Sequence, residues 1–326
     1  MKKKFIIGLL VSLVFLYLAF RKVDYSQLWE ALKGANYWYI FPTIALVLLS
    51  MWMRAYRWRF MINPIKKVNL GRLFSSVMIG FMANNVLPAR LGEFVRAYSL
   101  GKTESISKSA TFATIVIERV FDGFSLLFIL WVTLLVSPFP DWVKKASNLF
   151  LLMNLLALAF LVLIEVKRES TLKLFNFIFR LLPASLSSKA KEILEKFIGG
   201  LKVFRDIPSL IWILVWSVFI WTVVGIANYF IFLVFDLHPP LQASFILLVI
   251  ASLVVMLPSS PGFVGTFHYA CVISLGLFGF KENVSSPFSL VLHASQYVPV
   301  TLLGLYYLRR EHLSLKTLKS DSMRKE

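Results

Sequence analysis

Long apolar runs separated by short polar segments dominate the chain. Several of these runs reach or exceed the roughly 20 residues that a helix needs to cross a ~30 Å hydrocarbon core. The predicted membrane spans are 5–20, 37–53, 73–88, 109–136, 148–166, 209–235, 241–257, 262–280 and 287–308. The pattern therefore predicts an all-α, polytopic helical membrane protein.

Two of the runs end in near-copies of one motif, Leu-Pro-Ala-Arg-Leu-Gly at 87–92 and Leu-Pro-Ser-Ser-Pro-Gly at 257–262. Proline removes a backbone donor and glycine loosens the chain, so each motif is expected to break a helix. The expected helix-break residues are Pro88, Gly92, Pro258, Pro261, Gly262 and Gly265. We interpret each run as one arm of a re-entrant hairpin, returning through 89–100 or 262–280. Broken helices at corresponding positions of two halves indicate a transport-type site near the membrane midplane.

The longest polar stretch, 167–207, divides a predicted integral membrane domain, 1–308, into two related halves at about 1–166 and 209–308. Apolar residues recur at helical spacing across Leu172–Leu182 within this linker. That segment fits an amphipathic helix in the membrane interface or an ordinary linker helix.

Basic residues concentrate in the linker 167–207, in the tail 309–326 and in segment 54–72. The last of these carries Arg54, Arg57, Arg59, Lys66, Lys67 and Arg72. The positive-inside rule predicts that all three segments and both termini are cytoplasmic, in a bacterial-type cytoplasmic membrane. Segments 236–240 and 281–286 are expected to face outward.

Composition supports a membrane protein and argues against nucleic-acid binding. The chain is 58% hydrophobic, against about 45–50% in soluble proteins, and its formal net charge is +18. Because the basic residues lie mostly between apolar runs, positive-inside topology and attraction to anionic lipid explain the charge. The expected partner is a membrane phospholipid or lipid-linked substrate, with no nucleic acid, and a homo-oligomer is left open.

The strongest local signal follows the first break. Arg90, Glu93 and Arg96 recur at a spacing of three, so they share one face of a helix. Guanidinium groups bind phosphate oxygens bidentately, and a helix restarting after Gly92 would direct its N–H groups at an anion. Together with Asn85, these residues form a candidate headgroup site. The alternative is a salt bridge at the cytoplasmic edge.

A second signal, Glu118-Arg119-x-x-Asp122, lies within the apolar run 109–136. Each charge inside a span costs roughly 2.5–3.5 kcal/mol, so such residues need partners and often mark function. Arg119 and Asp122 are expected to pair, which leaves Glu118 to find a partner, with Arg90 and Arg96 as candidates. The interpretations are substrate coordination, proton coupling or a purely structural ion network.

His268 lies one turn into the helix expected after the second break, where it fits either phosphate donation or packing. His293 and Gln296 are expected to bridge helices. The four histidines show no metal-ligand spacing, and no phosphate-binding glycine loop of the P-loop type occurs. No metal, cofactor or catalytic residue is therefore predicted.

On motifs 87–96, 118–122 and 261–268, the chain resembles the lysylphosphatidylglycerol synthase transmembrane regions, also described as flippase-like UPF0104 membrane proteins. The resemblance covers roughly 5–310 and implies movement of charged or glycosylated lipids between leaflets. Some members carry a cytoplasmic aminoacyltransferase domain that makes lysyl-lipid. This chain ends at Glu326 soon after its last run, so that domain and lipid aminoacylation are not expected.

The chain departs from that family's pattern at two positions. Phe263 stands where a second glycine is common, and His268 stands where glutamate is common. If that glutamate serves chemistry, either the mechanism or the preferred headgroup differs here.

The leading hypothesis is a lipid translocase whose two breaks face each other around a polar pocket. Arg90 and Arg96 are expected to hold a headgroup phosphate, with Glu93 orienting them. Glu118 and Asp122 are expected to contact a cationic or hydroxylated part of the headgroup or to relay protons. The alternatives are an integral membrane enzyme acting on a lipid-linked sugar or phosphate, and a partner subunit without transport activity.

Overall fold

The computed structural model describes residues 2–87, 91–136, 141–179, 181, 183–255 and 260–314, which contain helices and no β-strand. The helices are α1 (Lys2–Phe20), α2 (Tyr25–Gly34), α3 (Ile40–Ile62), α4 (Leu70–Val86), α5 (Gly92–Glu104), α6 (Lys108–Val136), α7 (Asp141–Val166), α8 (Arg168–Phe179), α9 (Ala184–Gly200), α10 (Ile207–Val234), α11 (Gln242–Val255), α12 (Thr266–Gly276) and α13 (Glu282–Arg310). Short 3₁₀ turns occupy Tyr37–Tyr39, Lys202–Arg205 and Pro261–Phe263. The all-α prediction is confirmed.

Five helical segments are long and apolar enough to cross a membrane. They are Tyr37–Ile62, Lys108–Val136, Val143–Val166, Ile207–Val234 and Glu282–Arg310. Each coincides with a run predicted from hydropathy. The pairs α4/α5 and α11/α12 consist of shorter helices, and the two members of each pair pack against each other.

Helix α3 extends further than its apolar pattern predicted. The expected span ended at residue 53, but the helix continues to Ile62 and buries Arg54 and Arg57. The assignment of these two arginines to a polar cytoplasmic segment is therefore wrong. Each lies beside a carboxylate of α6, and this proximity offsets the cost of burying the charge.

One end of the molecule, which we call the basic end, collects several helix termini. Lys66, which follows α3, forms an ion pair of 3.2 Å with Glu104 at the end of α5. Arg72 in the first turn of α4 pairs with Glu104 at 3.9 Å and also with Glu311, which follows α13. Both α4 and α5 therefore have their outer termini at the basic end.

Other termini meet at the opposite end. The backbone N–H of Asn36 donates to the carbonyl of Val234 at the end of α10, at 2.8 Å. Lys22, just after α1, pairs with Glu282 at the start of α13, at 3.8 Å. Helix α13 therefore runs from the opposite end to the basic end. The positive-inside rule assigns the basic end to the cytoplasm, which stays a prediction.

The described part of the linker 167–207 is mostly helical and docks at the basic end. A Cβ on Gly200 of α9 would lie 2.2 Å from the carbonyl oxygen of Ala110, so α9 approaches the start of α6 closely. Arg205 binds Glu165 at 2.7 Å, which ties the linker to the end of α7. Helix α8 coincides with most of the predicted segment Leu172–Leu182 and has no buried residue.

Candidate functional site

The first break separates α4 from α5. Leu87 is extended after α4, and α5 begins at Gly92, as predicted. The backbone N–H of Gly92 donates to Asn84 Oδ1 at 2.8 Å, so a side chain of α4 caps the restarted helix. A Cβ on Gly92 would lie 2.2 Å from the carbonyl oxygen of Gly80, so only glycine permits this approach.

The second break separates α11 from α12. Gly262 and Gly265 have φ values of +70° and +87°, which glycine adopts without a steric penalty. Phe263 between them has φ +58°, a region in which a bulky side chain is strained. The prolines Pro88 and Pro258, expected to begin the two breaks, lie outside the described residues.

The two breaks lie next to each other at the middle of α13. The Tyr297 hydroxyl donates to the carbonyl of Asn85 at 3.3 Å, and His293 Nε2 donates to the carbonyl of Gly262 at 2.8 Å. A Cβ on Gly262 would lie 3.3 Å from the Asn85 carbonyl oxygen. Two residues of α13 thus hold the described edges of both breaks together.

A buried charge cluster lies beside the breaks. Arg57 of α3 binds Asp122 Oδ1 at 2.6 Å through Nη1 and Glu118 Oε1 at 3.2 Å through Nη2. Its Nη1 also donates to the Ser217 hydroxyl of α10 at 2.6 Å. Glu118 and Asp122 are four residues apart on α6, so one arginine reaches both carboxylates.

Arg96 of α5 supplies the partner that Glu118 was expected to need. Its two terminal nitrogens bind the two carboxylate oxygens at 3.0 and 2.9 Å, a bidentate pair. The guanidinium lies 3.7 Å from the ring centroid of Trp58, whose Nε1 donates to the Thr114 hydroxyl at 2.9 Å. Arg96 is therefore the bidentate partner of Glu118 in the interior, and Arg57 is a second arginine beside the same carboxylate.

Arg119 forms the ion pair predicted from its spacing. Its Nη1 lies 3.3 Å from Asp122 Oδ2, and its Nε lies 3.9 Å from Glu93 Oε1. The Arg119 side chain is 38% exposed, against 5% for Asp122. Arg119 therefore connects the buried cluster to accessible space, and Glu93 lies beside it.

Arg54 is the member of the cluster with the fewest partners. Its Nη1 is 3.7 Å from Asp122 Oδ2, too long for a hydrogen bond. Its Nε and Nη1 have no hydrogen-bond partner among the described residues, although the side chain is only 4% exposed. The guanidinium carbon lies 4.8 Å from the Trp221 ring centroid and 5.4 Å from that of Phe81.

A cavity of about 1470 Å³, including its open mouth, lies between the charge cluster and the two breaks. Its charged wall is formed by Arg54, Glu93, Arg119 and Asp122. Its uncharged polar wall includes Asn84, Asn85, Asn228, His293, Gln296 and Tyr297. Phe263 of the second break also lines it, so the cavity contacts residues from both interrupted segments.

The uncharged wall is itself hydrogen-bonded. Asn85 Nδ2 donates to the Thr301 hydroxyl at 2.8 Å, and Gln296 Nε2 donates to Asn228 Oδ1 at 2.9 Å. The expectation that His293 and Gln296 bridge helices is confirmed, because His293 contacts the second break and Gln296 contacts α10.

The structure divides the described members of the predicted site into two groups. Those that line the cavity are Asn85, Glu93, Arg119 and Asp122. Those that lie buried behind its wall are Arg96, Glu118 and His268. His268 Nδ1 lies 3.1 Å from the Ser289 hydroxyl, and its ring packs against that of His293. Arg90 lies outside the described residues.

Sequence reasoning missed four cavity residues: Arg54, Asn84, Trp221 and Asn228. Arg54 and Arg57 stand three residues apart between apolar and aromatic residues, the same signal that identified Glu118 and Asp122. Neither Trp221 nor Asn228 carries a comparable signal, because an isolated polar residue in a span commonly bridges helices. Among the described residues, no group of three potential metal ligands occurs.

Comparison with known proteins identifies relatives along nearly the whole chain. A UPF0104 membrane protein of Methanothermobacter thermautotrophicus is 22% identical over 321 residues, covering 94% of this chain and 95% of that protein. A second, from Methanocaldococcus jannaschii, is 25% identical over 322 residues and covers 91% of each. The glycosyltransferase AglD of Haloferax volcanii is 29% identical over 116 residues, which is 35% of this chain and 19% of that protein.

No solved structure matches the chain. The sequence profile of the family described as the lysylphosphatidylglycerol synthase TM region matches residues 5–304. This extent agrees with the range of roughly 5–310 expected from the resemblance. The chain therefore belongs to the lysylphosphatidylglycerol synthase transmembrane-region family of membrane proteins.

Proposed function

We propose that this membrane protein is a lipid translocase that moves an anionic or modified lipid between leaflets. The cavity between the charge cluster and the two helix breaks carries the proposal. Its enclosed interior is about 270 Å³, near the lower end of the roughly 300–1,000 Å³ of small-molecule pockets, a size that suits a lipid headgroup rather than a whole lipid. The acyl chains of the lipid would remain in the bilayer while the headgroup passes through.

The partnerless donors of Arg54 support an anionic cargo. A buried donor without an acceptor costs about 1–3 kcal/mol, and more when it is charged. A headgroup phosphate placed beside Arg54 would supply acceptor oxygens and negative charge together. Arg119, at the accessible edge of the cluster, would meet the headgroup as it enters.

The arrangement of the short helices supports a passage between leaflets. Helix α4 has 17 residues and α11 has 14, or about 26 and 21 Å, less than the ~30 Å hydrocarbon core. The α4/α5 pair has its outer termini at the basic end. Pro239, before α11, and Phe280, after α12, both contact the last turns of α10 at the opposite end. We propose that the two helix pairs are opposed re-entrant hairpins of two related halves, with the basic end and both termini cytoplasmic.

The buried residues have positioning roles in this proposal. Arg96 and Glu118 bind each other behind the cavity wall and fix α5 against α6. Arg57 holds Asp122 so that the carboxylate is directed toward Arg119. The role of Arg90 in phosphate binding remains a prediction from its place in the motif.

The test is transport in proteoliposomes that contain a chain-labelled fluorescent phosphatidylglycerol. Arg54→Gln is expected to slow protein-dependent translocation by about tenfold or more, the factor expected for loss of a charge-assisted hydrogen bond. Arg59→Gln is the matched control, because Arg59 lies on the same helix but is exposed. Equal translocation rates in the two variants would exclude Arg54 from the substrate site. The absence of protein-dependent transport for every lipid tested would exclude the translocase function.

An integral membrane enzyme acting on a lipid-linked sugar or phosphate is the second candidate. The local similarity to glycosyltransferase AglD favours it, although the matched part is only 19% of that protein. Against it, Glu118 and Asp122 are occupied by arginines and are poorly placed for acid–base chemistry. Lipid extracts of a deletion strain discriminate: a missing product indicates an enzyme, whereas unchanged totals with altered leaflet distribution indicate a translocase.

A further inference from the structure

The charges around the cavity do not balance. The cluster contains the cations Arg54, Arg57, Arg96 and Arg119 and the anions Glu93, Glu118 and Asp122. Each of the three carboxylates already has at least one arginine within 4.0 Å. Among the described residues, four cations against three anions leave one net positive charge. Each of the four arginines has a buried donor without a partner, but Arg54 is the one for which the described residues provide no hydrogen bond to a carboxylate.

The wall facing this cluster has no formal charge. Asn228 and Gln296 share one hydrogen bond of 2.9 Å, and both line the cavity. Each amide offers two donors and a carbonyl acceptor, so their mutual bond leaves an acceptor on Gln296 and donors on Asn228. An adjacent donor and acceptor of this kind match hydroxyl groups, which donate and accept at once.

We propose that the cavity selects lipids in which a phosphate bears an uncharged, hydroxyl-rich group, and that it disfavours headgroups carrying an amine cation. This proposal rests on the proposed function and narrows its substrate class. The phosphate would lie against Arg54, and the hydroxylated group would extend to Asn228 and Gln296.

Electrostatics explains the discrimination. A phosphodiester adds one negative charge and neutralises the net positive charge of the cluster. A lysyl headgroup adds two ammonium groups to the same phosphate, which raises the net charge of cluster and headgroup together to +2. In a partly buried site of low effective dielectric constant, such like charges repel strongly. Because every described carboxylate of the cluster already has an arginine partner, an ammonium would have to displace one.

The test is competition for the purified full-length protein in detergent, using a chain-labelled phosphatidylinositol as the bound probe. Phosphatidylinositol, phosphatidic acid and lysylphosphatidylglycerol are compared as competitors, with inositol phosphate and inorganic phosphate as soluble controls. We expect phosphatidylinositol to bind most tightly and lysylphosphatidylglycerol at least about tenfold more weakly, with the soluble phosphates weaker still.

Two variants test the two walls separately. Arg54→Gln is expected to weaken both phosphatidylinositol and phosphatidic acid by about tenfold, whereas the exposed control Arg59→Gln changes neither. Gln296→Leu is expected to reduce the ratio of the affinity for phosphatidylinositol to the affinity for phosphatidic acid. The substitution removes the side-chain amide that would contact the hydroxyl groups of inositol. An unchanged affinity ratio would show that Gln296 does not contact the hydroxylated group.

The wild-type order decides the proposal even if a variant fails to fold. Lysylphosphatidylglycerol binding as tightly as phosphatidylinositol would overturn it, and so would inorganic phosphate competing as well as the lipids. If the protein translocates lipids in vesicles without headgroup preference, the proposed selectivity is wrong, but the proposed translocase function still holds. If the lipids bind in the predicted order but none is translocated, the proposed selectivity holds and the proposed translocase function is wrong.

Discussion

Arg57 is the residue on which the buried cluster depends most. It contacts both Asp122 and Glu118, and its side chain is completely buried. Removing one partner of a buried ion pair leaves the other charge uncompensated in a medium that solvates it poorly. Arg57 thus holds α3 against α6, and through Ser217 it also holds α10.

Replacing Arg57 with methionine is therefore expected to destabilise the protein by about 3–5 kcal/mol. The same substitution at Arg59, exposed on the same helix, is expected to change stability by less than about 0.5 kcal/mol. Thermal unfolding of the purified variants in detergent provides the comparison. Similar unfolding temperatures for the two variants would show that the buried ion pairs contribute little.

Residue spacing was enough to predict part of the cluster. Arg119 and Asp122 are three residues apart on one helix, and Glu118 was expected to find an arginine after the first break. Arg54 and Arg57 carry a comparable local signal but were assigned to the basic segment 54–72, and their partners lie more than 60 residues away on α6. Local spacing contains no information about which helix faces α3.

At the scale of helices, glycines set how closely the interrupted segments approach their neighbours. Gly92 places the first turn of α5 against the backbone of α4, and Gly304 of α13 packs against Met78 and Met82 of α4. A Cβ on Gly304 would lie 2.2 Å from the Met82 Cβ. Small residues let membrane helices pack at short range, so these contacts hold the first break beside α13.

Gly92→Ala is expected to reduce the yield of folded protein and to lower its stability by at least about 1–3 kcal/mol, because backbone cannot move aside cheaply. Gly199→Ala is the matched control, since a Cβ at Gly199 of α9 meets nothing within 4 Å. Alanine there is expected to be neutral or slightly stabilising. Monodispersity on gel filtration and thermal unfolding measure both variants, and a well-folded Gly92→Ala protein would refute the close packing.

Hydropathy predicted the long helices well, but it did not predict α2 and α9. Helix α2 has ten residues, too few for a span, and it begins where Asp24 accepts hydrogen bonds from the N–H groups of Ser26 and Gln27. Helix α9 alternates charged and apolar residues and was treated only as part of the polar linker. Helices that lie outside the apolar runs depend on capping and docking, which composition alone does not reveal.

At the scale of the whole molecule, the basic end and the opposite end differ in charge. Lys67 is exposed near the basic end, whereas Asp236 lies at the opposite end with its side chain 99% exposed. Positive segments are retained in the cytoplasm, so these two positions should lie on different sides of the membrane. The native Cys271 is buried, so it is expected to contribute little background signal in cysteine labelling.

In intact spheroplasts, Asp236→Cys is expected to react with a membrane-impermeant maleimide. Lys67→Cys is expected to react only after permeabilisation, and the unaltered chain with its buried Cys271 is the background control. The reverse labelling pattern would show that the orientation in the membrane is opposite to the predicted one. Labelling of both positions before permeabilisation would show that they do not lie on different sides of the membrane.

The proposed function requires a cavity beside the two helix breaks that holds an anionic headgroup. A cryo-electron microscopy structure in nanodiscs that contain phosphatidylinositol tests this directly. We predict headgroup density in the cavity lined by Asn85, Arg119 and Gln296, with a phosphate about 3 Å from the Arg54 guanidinium. The proposed headgroup cavity would be contradicted if lipid phosphates lay only at the two bilayer surfaces, Arg54 contacted only protein atoms, and the two breaks lay apart.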